Sequence, residues 1–287
     1  MNFSLSQIYL SGLFLLLGSW PVIGQLSAAQ PSRTIANERW VQVRQIDGTV
    51  TSQGRPIRVG EYLAMGDVIK TSNNSRAMLV VDDGIGMVKV SELADVQVQN
   101  LAVLPNGGKT TKFFVSKGQV RAIARHLTNP NSSFEIAFRG DDEEVEGGIA
   151  GTRGTEYGVA VSPNGQTGIT TVQGNVAVTA LNQTVFVKAG TSSLVVPGQP
   201  PMLPRSTPSN LQLKLQLLSV TTERQVRVIA EVDPINLVYL NGQPVEVDRN
   251  GKLDKIVPLS DTGSVSLVVR SPLGDQQVYE LSLPPSP

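Results

Sequence analysis

Between Trp40 and Val196 the apolar positions come in short β-branched or alternating runs. Val41-Gln42-Val43, Val68–Thr71, Met78–Val81, Val96-Gln97-Val98, Phe113–Val115, Phe134–Phe138, Val159–Val161, Ile169–Val172, Val176–Val178 and Val185–Val187 all have strand length and strand composition. Turn formers separate them: Asp47-Gly48, Gly66-Asp67, Asn73-Asn74, Asp83-Gly84 and Pro163-Asn164-Gly165. No run of ten residues carries the period of an amphipathic helix. Strands at short, regular spacing predict an all-β sandwich, roll or barrel over residues 38–196.

Residues 197–209 (PGQPPMLPRSTPS) hold five prolines, at 197, 200, 201, 204 and 208. Proline lacks an N–H and fixes φ, so this segment is expected to be a stiff linker outside any ladder. Beyond it, Leu211, Leu213, Leu215 and Leu217 alternate with polar residues, and a period of two favours a strand. Val226–Ile229, Leu237–Leu240, Lys255–Val257, Val265–Val269 and Val278–Leu281 follow, joined at Asn241-Gly242, Asn250-Gly251, Thr262-Gly263 and Leu273-Gly274. Residues 210–287 are therefore expected to form a second, smaller β-sandwich.

At the other end, Leu10–Gly18 is an apolar core of signal-peptide length, broken by Pro21 and followed by Ser27-Ala28-Ala29. Residues 1–29 are expected to be a signal peptide and the mature chain to begin at Gln30. No Lys or Arg precedes Arg33, so the usual positive flank is missing, and an uncleaved anchor is the alternative. A membrane span needs about 20 unbroken apolar residues, and Trp20-Pro21 and Gln25 spoil one here.

Composition narrows the chemistry. With 24 basic and 24 acidic residues the formal net charge is zero, and the basic residues are scattered, which argues against nucleic acid. Cysteine is absent, which removes disulfides, thiolate nucleophiles and Cys metal sites. The single histidine, His126, leaves no material for a His triad or a multi-His metal site and is expected in a surface loop. Ser132-Ser133 has no adjacent base. The acidic run Asp141–Glu146 lacks the alternate-oxygen spacing of a calcium loop and reads as a solvated insertion. Paired carboxylates could in principle hydrolyse glycans, but no local pattern singles out a pair. No catalytic, cofactor or metal residue is assigned.

Two patterns stand out. In Gly66-Asp67 the glycine suits a positive φ and the carboxylate suits turn N–H groups. In Arg153-Gly154-Thr155-Glu156-Tyr157-Gly158-Val159, alternation puts Thr155, Tyr157 and Val159 on one face and Gly154, Glu156 and Gly158 on the other. The glycines leave room for a neighbouring backbone, or for an arginine that pairs with Glu156; Arg76 is the candidate.

The order of these elements resembles the FecR protein domain. The residues that carry the resemblance are Gly60-x-x-Leu63-x-x-Gly66-Asp67-x-Ile69-x-Thr71, Ser75-Arg76-Ala77-x-Leu79, Asp83-Gly84, Arg153-Gly154-Thr155-Glu156-Tyr157-x-Val159, Val172-Gln173-Gly174-Asn175-Val176-x-Val178 and Val187-Lys188-Ala189-Gly190. Residues 210–287 are similar to bacterial Ig-like modules through Val238–Val245, Asp248–Gly251 and Leu259–Gly263. The resemblance implies an exported β-rich module whose motif residues serve the fold. Relatives of this kind pass a receptor signal to a cytoplasmic sigma factor through a segment that precedes a membrane span. Only a handful of residues precede the apolar core here, so no sigma-factor-binding segment is expected. The expected role is a non-enzymatic binding or scaffolding protein of the bacterial periplasm or cell surface, needing no cofactor, whose partner is an envelope or surface protein or polysaccharide. A periplasmic sensor component and a glycan-acting enzyme are the alternatives.

Overall fold

The computed structural model describes residues 39–82, 84–140, 146–222, 224–261 and 263–282. The signal-peptide reading, Asp83, Thr262 and residues 141–145 of the acidic run lie outside them, as does the side chain of Glu146. Every regular element among the described residues is a strand. The protein is all-β.

The first lobe is two sheets that share one strand. One sheet runs β4 (Tyr62–Leu63), β1 (Val41–Asp47), β6 (Arg76–Val81), β7 (Gly86–Val90), the C-terminal half of β9 (Lys109–Ala124), β12 (Glu156–Val161), β13 (Thr167–Gln173), β16 (Thr191–Val195) and β17 (Arg205–Ser206), antiparallel throughout. The other runs β3 (Arg55–Pro56), β2 (Val50–Ser52), β5 (Val68–Thr71), β8 (Asp95–Val103), the N-terminal half of β9, β10 (Ser133–Arg139), β11 (Glu146–Thr152), β14 (Asn175–Ala180) and β15 (Gln183–Lys188). Its β9–β10 pair is parallel. β9 passes from one sheet to the other at Gly118, where φ is +87° and a Cβ would stand 2.5 Å from the Ala94 Cα. Only glycine fits that crossing.

Alternation along the strands sends one set of side chains inward, and the two inner faces make a single core. Phe113, Phe134, Phe138, Tyr157, Ile69, Ile136, Ile169 and Leu79 are its largest fully buried members. Each contributes about 1.5–3 kcal/mol relative to an exposed side chain. The chain enters this core through a clamp. The Arg39 guanidinium pairs with Asp82 at 3.0 Å, donates to the Thr110 carbonyl at 2.5 Å and to the Thr111 hydroxyl at 2.8 Å.

The second lobe has its own core, including Val226, Val228, Val238, Leu240, Leu253, Leu267 and Val269. One sheet is β18 (Lys214–Thr222), β19 (Gln225–Glu231) and β22 (Lys252–Pro258); the other is β21 (Gln243–Val245), β20 (Leu237–Leu240), β23 (Ser264–Arg270) and β24 (Gln276–Ser282). The leucine alternation is only partly a strand. Leu211 and Leu213 pack on the core before β18 begins, and a bulge between Leu215 and Leu217 shifts the register. Leu218 then packs on the core while Leu215 and Leu217 stay exposed. A bulge inserts one residue, which reverses the facing of everything after it.

The proline-rich segment does join a ladder, contrary to the expectation from its prolines. β17 pairs with β16, and the Met202 N–H donates to the Leu194 carbonyl. Both residues of β17 and Met202 are non-proline, so their N–H groups remain free to pair along this edge. The described residues between 39 and 282 form one compact unit. The second lobe packs on the outer surface of β12 and β13, where Gly158 lies opposite Thr170 and Ala160 opposite Gly168. A Cβ on Gly158 would stand 2.0 Å from the Pro272 carbonyl oxygen, and one on Gly168 2.1 Å from that of Ile235. Small outward residues thus admit the second lobe's backbone.

Candidate functional site

Alongside this contact, the outward positions of β1, β6, β7 and β9 form the floor of a polar groove, and the turn at Leu273-Gly274 contributes to its wall. The pairing Gln45–Met78–Lys89–Arg121 sets one row across the floor, and Asp47–Arg76 begins the next. The groove has a volume of about 480 Å³, and an adjoining cleft of about 420 Å³ shares Arg76, Ser91 and Gly274 with it. Glu92, Arg270 and Gln276 line the far side of that cleft.

Charge in the groove is largely internal. Arg76 pairs with Asp47 at 2.8 Å, both exposed, and Arg121 pairs with Glu156 at 2.6 Å, both partly buried. Arg270, almost wholly buried, pairs with Glu92 across the two lobes. It also lies 4.8 Å from the Tyr239 ring centroid and donates to the Tyr239 hydroxyl at 3.3 Å and to Gln276 at 3.0 Å. Burial pushes the Tyr239 phenol up, against the lowering influence of the Arg270 guanidinium. Gln119 is buried in the same seam; it accepts from the Ser91 hydroxyl and donates to the Pro272 carbonyl at 2.8 Å. Lys89 is exposed opposite Arg121 and has no ion pair among the described residues. Such a floor offers hydrogen-bond donors and one free cation to an extended polar ligand. Among the described residues no group of three His, Cys, Asp or Glu side chains is placed to hold a metal.

The residues singled out in the sequence fall in several places. Arg76 lines both clefts and Ser75 the smaller one. The Ser75 hydroxyl is nonetheless structural: it accepts from the Thr49 N–H at 2.9 Å and donates to the Asn73 carbonyl at 3.0 Å. Gly66 has φ +96°, and Asp67 accepts from the Ala64 N–H and the Gln53 amide, both at 2.7 Å. Gly84 sits 3.2 Å (as a built Cβ) from the Arg125 guanidinium. Arg153 is exposed, and its carbonyl accepts from the Leu127 N–H at 2.7 Å. Gly154 packs against His126, which is exposed as its loop position predicts. Thr155, Tyr157 and Val159 are buried together, as alternation requires. Gly174 (φ +83°) leaves space for Thr155, and Gly190 (φ +77°) faces open solvent.

One pairing needs correction. Glu156 is held by Arg121, not by Arg76, because β9 and not β6 is the neighbour of β12; Ile123 lies opposite Glu156 and Arg121 is one outward position along. No motif in the sequence singles out Lys89, Arg121, Glu92 or Arg270. The usable signal was the outward trio Gly158, Ala160 and Gly168, too small for a solvated face.

No family model matches the chain, and no curated protein matches it. Among solved structures, two of a protein described as an anti-sigma factor from Parabacteroides distasonis match at 11% identity and TM-score 0.38, covering 48% of this chain and 59% of that one. A polysaccharide lyase matches at 10% identity and TM-score 0.20, covering 86% of this chain and 40% of that one. The chain spans less than two thirds of the length of each. Likenesses this low carry no argument about activity.

Proposed function

We propose that the chain is an exported, non-enzymatic binding or scaffolding protein of the bacterial envelope, of the FecR-domain kind with an Ig-like module, and that the groove receives its polar partner, a protein or polysaccharide. The observation that carries this reading is the state of the groove's reactive side chains. Arg76, Arg121 and Arg270 each face a carboxylate, and the Ser75 and Ser91 hydroxyls are committed to backbone and amide. A nucleophile needs a base beside it, and neither serine has one. The floor stands on strands of one sheet, which suits recognition by a rigid surface.

The test uses the purified chain from Gln30 to Pro287 incubated with host envelope extracts and fractionated envelope glycans. Capture of a defined partner without new products, weakened about tenfold by Arg76→Ala with Lys89→Ala at unchanged Tm, supports the reading. Glycan fragments or cleaved peptides that accumulate with time, and vanish on a single carboxylate substitution, overturn it. Export itself predicts native protein that begins at Gln30 on N-terminal sequencing.

A further inference from the structure

A further cavity, of about 220 Å³, is lined by the Ser271–Asp275 turn, with Leu273 lining both it and the groove. Four parts of the chain meet there: Thr170 of β13, the segment Thr207–Leu211, and two turns of the second lobe, at Ile235-Asn236 and Ser271–Asp275. It therefore exists only with the lobes docked, and it stands whether or not the reading above holds.

Its walls are preorganised. The Ser271 hydroxyl accepts from the Leu273 and Asp275 N–H groups, at 3.2 and 3.1 Å, which fixes the turn that carries the Asp275 carboxylate. Asp233 accepts from the Ile235 N–H at 3.2 Å and pairs with Arg205 at 2.5 Å, which fixes the turn that carries Asn236. Thr170 is bonded to Ser192 at 2.8 Å, and Ser192 to Thr207 at 2.6 Å.

Asn236 is the unusual residue. The residue is only 4% exposed and lines the cavity, and its side-chain amide makes no hydrogen bond within the described protein yet is not sealed from water. An amide with no protein partner on a cavity wall is satisfied by water until a ligand group replaces that water. An amide that the protein leaves unpaired at a cavity wall is available to whatever fills the cavity. Asp275 offers a carboxylate with no ion pair among the described residues, and no cationic side chain lines the space. Leu211, Ile235 and Pro272 supply an apolar wall. The geometry points to a binding site for a single neutral sugar ring, whose hydroxyls meet Asn236 and Asp275 and whose C–H face lies on the apolar wall. An anion is disfavoured by Asp275. The volume lies below the roughly 300–1,000 Å³ of drug-sized sites, so one ring is the size that fits.

The experiment titrates the isotope-labelled full chain with glucose, galactose and mannose, and with glucuronate as the anionic counterpart, following the Asn236 side-chain amide resonance. At least one neutral sugar is expected to shift it saturably with a Kd on the order of a millimolar. Asn236→Leu, followed through the Leu273 and Asp275 backbone amide resonances, should weaken binding about tenfold. Because Asn236 is buried, Asn210→Trp serves as the second variant: Asn210 is exposed at the rim, so an indole there fills the cavity and abolishes binding at unchanged Tm. Glucuronate should bind more weakly than glucose. The inference fails if no neutral sugar gives a saturable shift, if glucuronate binds as well as the best neutral sugar, or if Asn210→Trp binds like the parent chain.

Discussion

Tyr157 shows how a single buried group sets a pH limit for the fold. It is fully buried between the sheets, and its hydroxyl donates to the Ala150 carbonyl at 3.1 Å. Burial, aided by the nearby Glu135 carboxylate, pushes its phenol well above the ordinary value. In the unfolded chain the same phenol ionises near pH 10. Its folded pKa is raised, so its contribution is fully present below pH 10 and is lost as pH climbs above it. Urea unfolding between pH 9 and 11.5 should show this group's contribution holding to about pH 10 and then falling with a slope approaching about 1.4 kcal/mol per pH unit, and Tyr157→Phe should remove that slope. Ion pairs at the same scale differ by their access to water. Glu156 and Arg121 keep side-chain exposures of 23% and 30%, whereas Arg39 keeps 4% and Asp82 10%. Partial solvation screens the first pair, so Glu156→Ala should cost about 1–2 kcal/mol rather than the larger penalty of a stranded charge. Arg39→Ala, which leaves Asp82 without its closest cation and the Thr110 carbonyl without that donor, should cost about 3–5 kcal/mol. Chemical denaturation of the two variants side by side tests the ranking, and equal losses would refute it.

At the scale of elements, docking depends on what the outer face of β12 and β13 lacks. Gly158→Val and Gly168→Val put side chains where the Pro272 and Ile235 carbonyls now stand, yet valine suits a strand position and leaves the inner core untouched. Either variant should keep β-type circular dichroism while its radius of gyration in X-ray scattering rises and the lobes part; an unchanged radius would show that the sheet yields instead. The same face marks the limit of what alternation reveals. Period two put Thr155, Tyr157 and Val159 on one face and left room beside Gly158 on the other for a neighbouring backbone, because facing is a local property of a strand. It could not name Arg121 as the partner of Glu156, since that follows from β9 lying between β7 and β12, a pairing between residues 35 apart in sequence. Nor could it foresee the bulge in β18, where one inserted residue defeats the leucine alternation, or two-residue strands such as β3, β4 and β17, which are too short to show a period. Of the motif residues only Arg76 lies in the groove, because its floor gathers outward positions from four strands distant in sequence and its wall includes a turn of the second lobe.

At the scale of the whole molecule, the question is whether two cores unfold together. The seam between the lobes carries the Glu92–Arg270 pair, the Gln119 bond to Pro272, an Asn164 bond to the Val247 carbonyl at 3.1 Å and a Gln166 bond to the Pro234 carbonyl at 3.0 Å. Ala160, Leu237 and Tyr239 add a small apolar cluster across it. The proline-rich segment is tied on both sides, through β17 and Thr207 to the first lobe and through Arg205–Asp233 to the second. A protease needs an extended, detachable segment, and this one is held by backbone bonds. Limited proteolysis should therefore spare residues 200–207, and calorimetry should show one transition whose calorimetric and van't Hoff enthalpies agree. Arg270→Leu strands Glu92 and removes the cation from Tyr239, a loss of about 3 kcal/mol. If the lobes are coupled through this seam, that variant should split the transition in two and open residues 200–207 to cleavage. Two transitions already present in the parent chain would mean that the seam holds the lobes in place without coupling their unfolding.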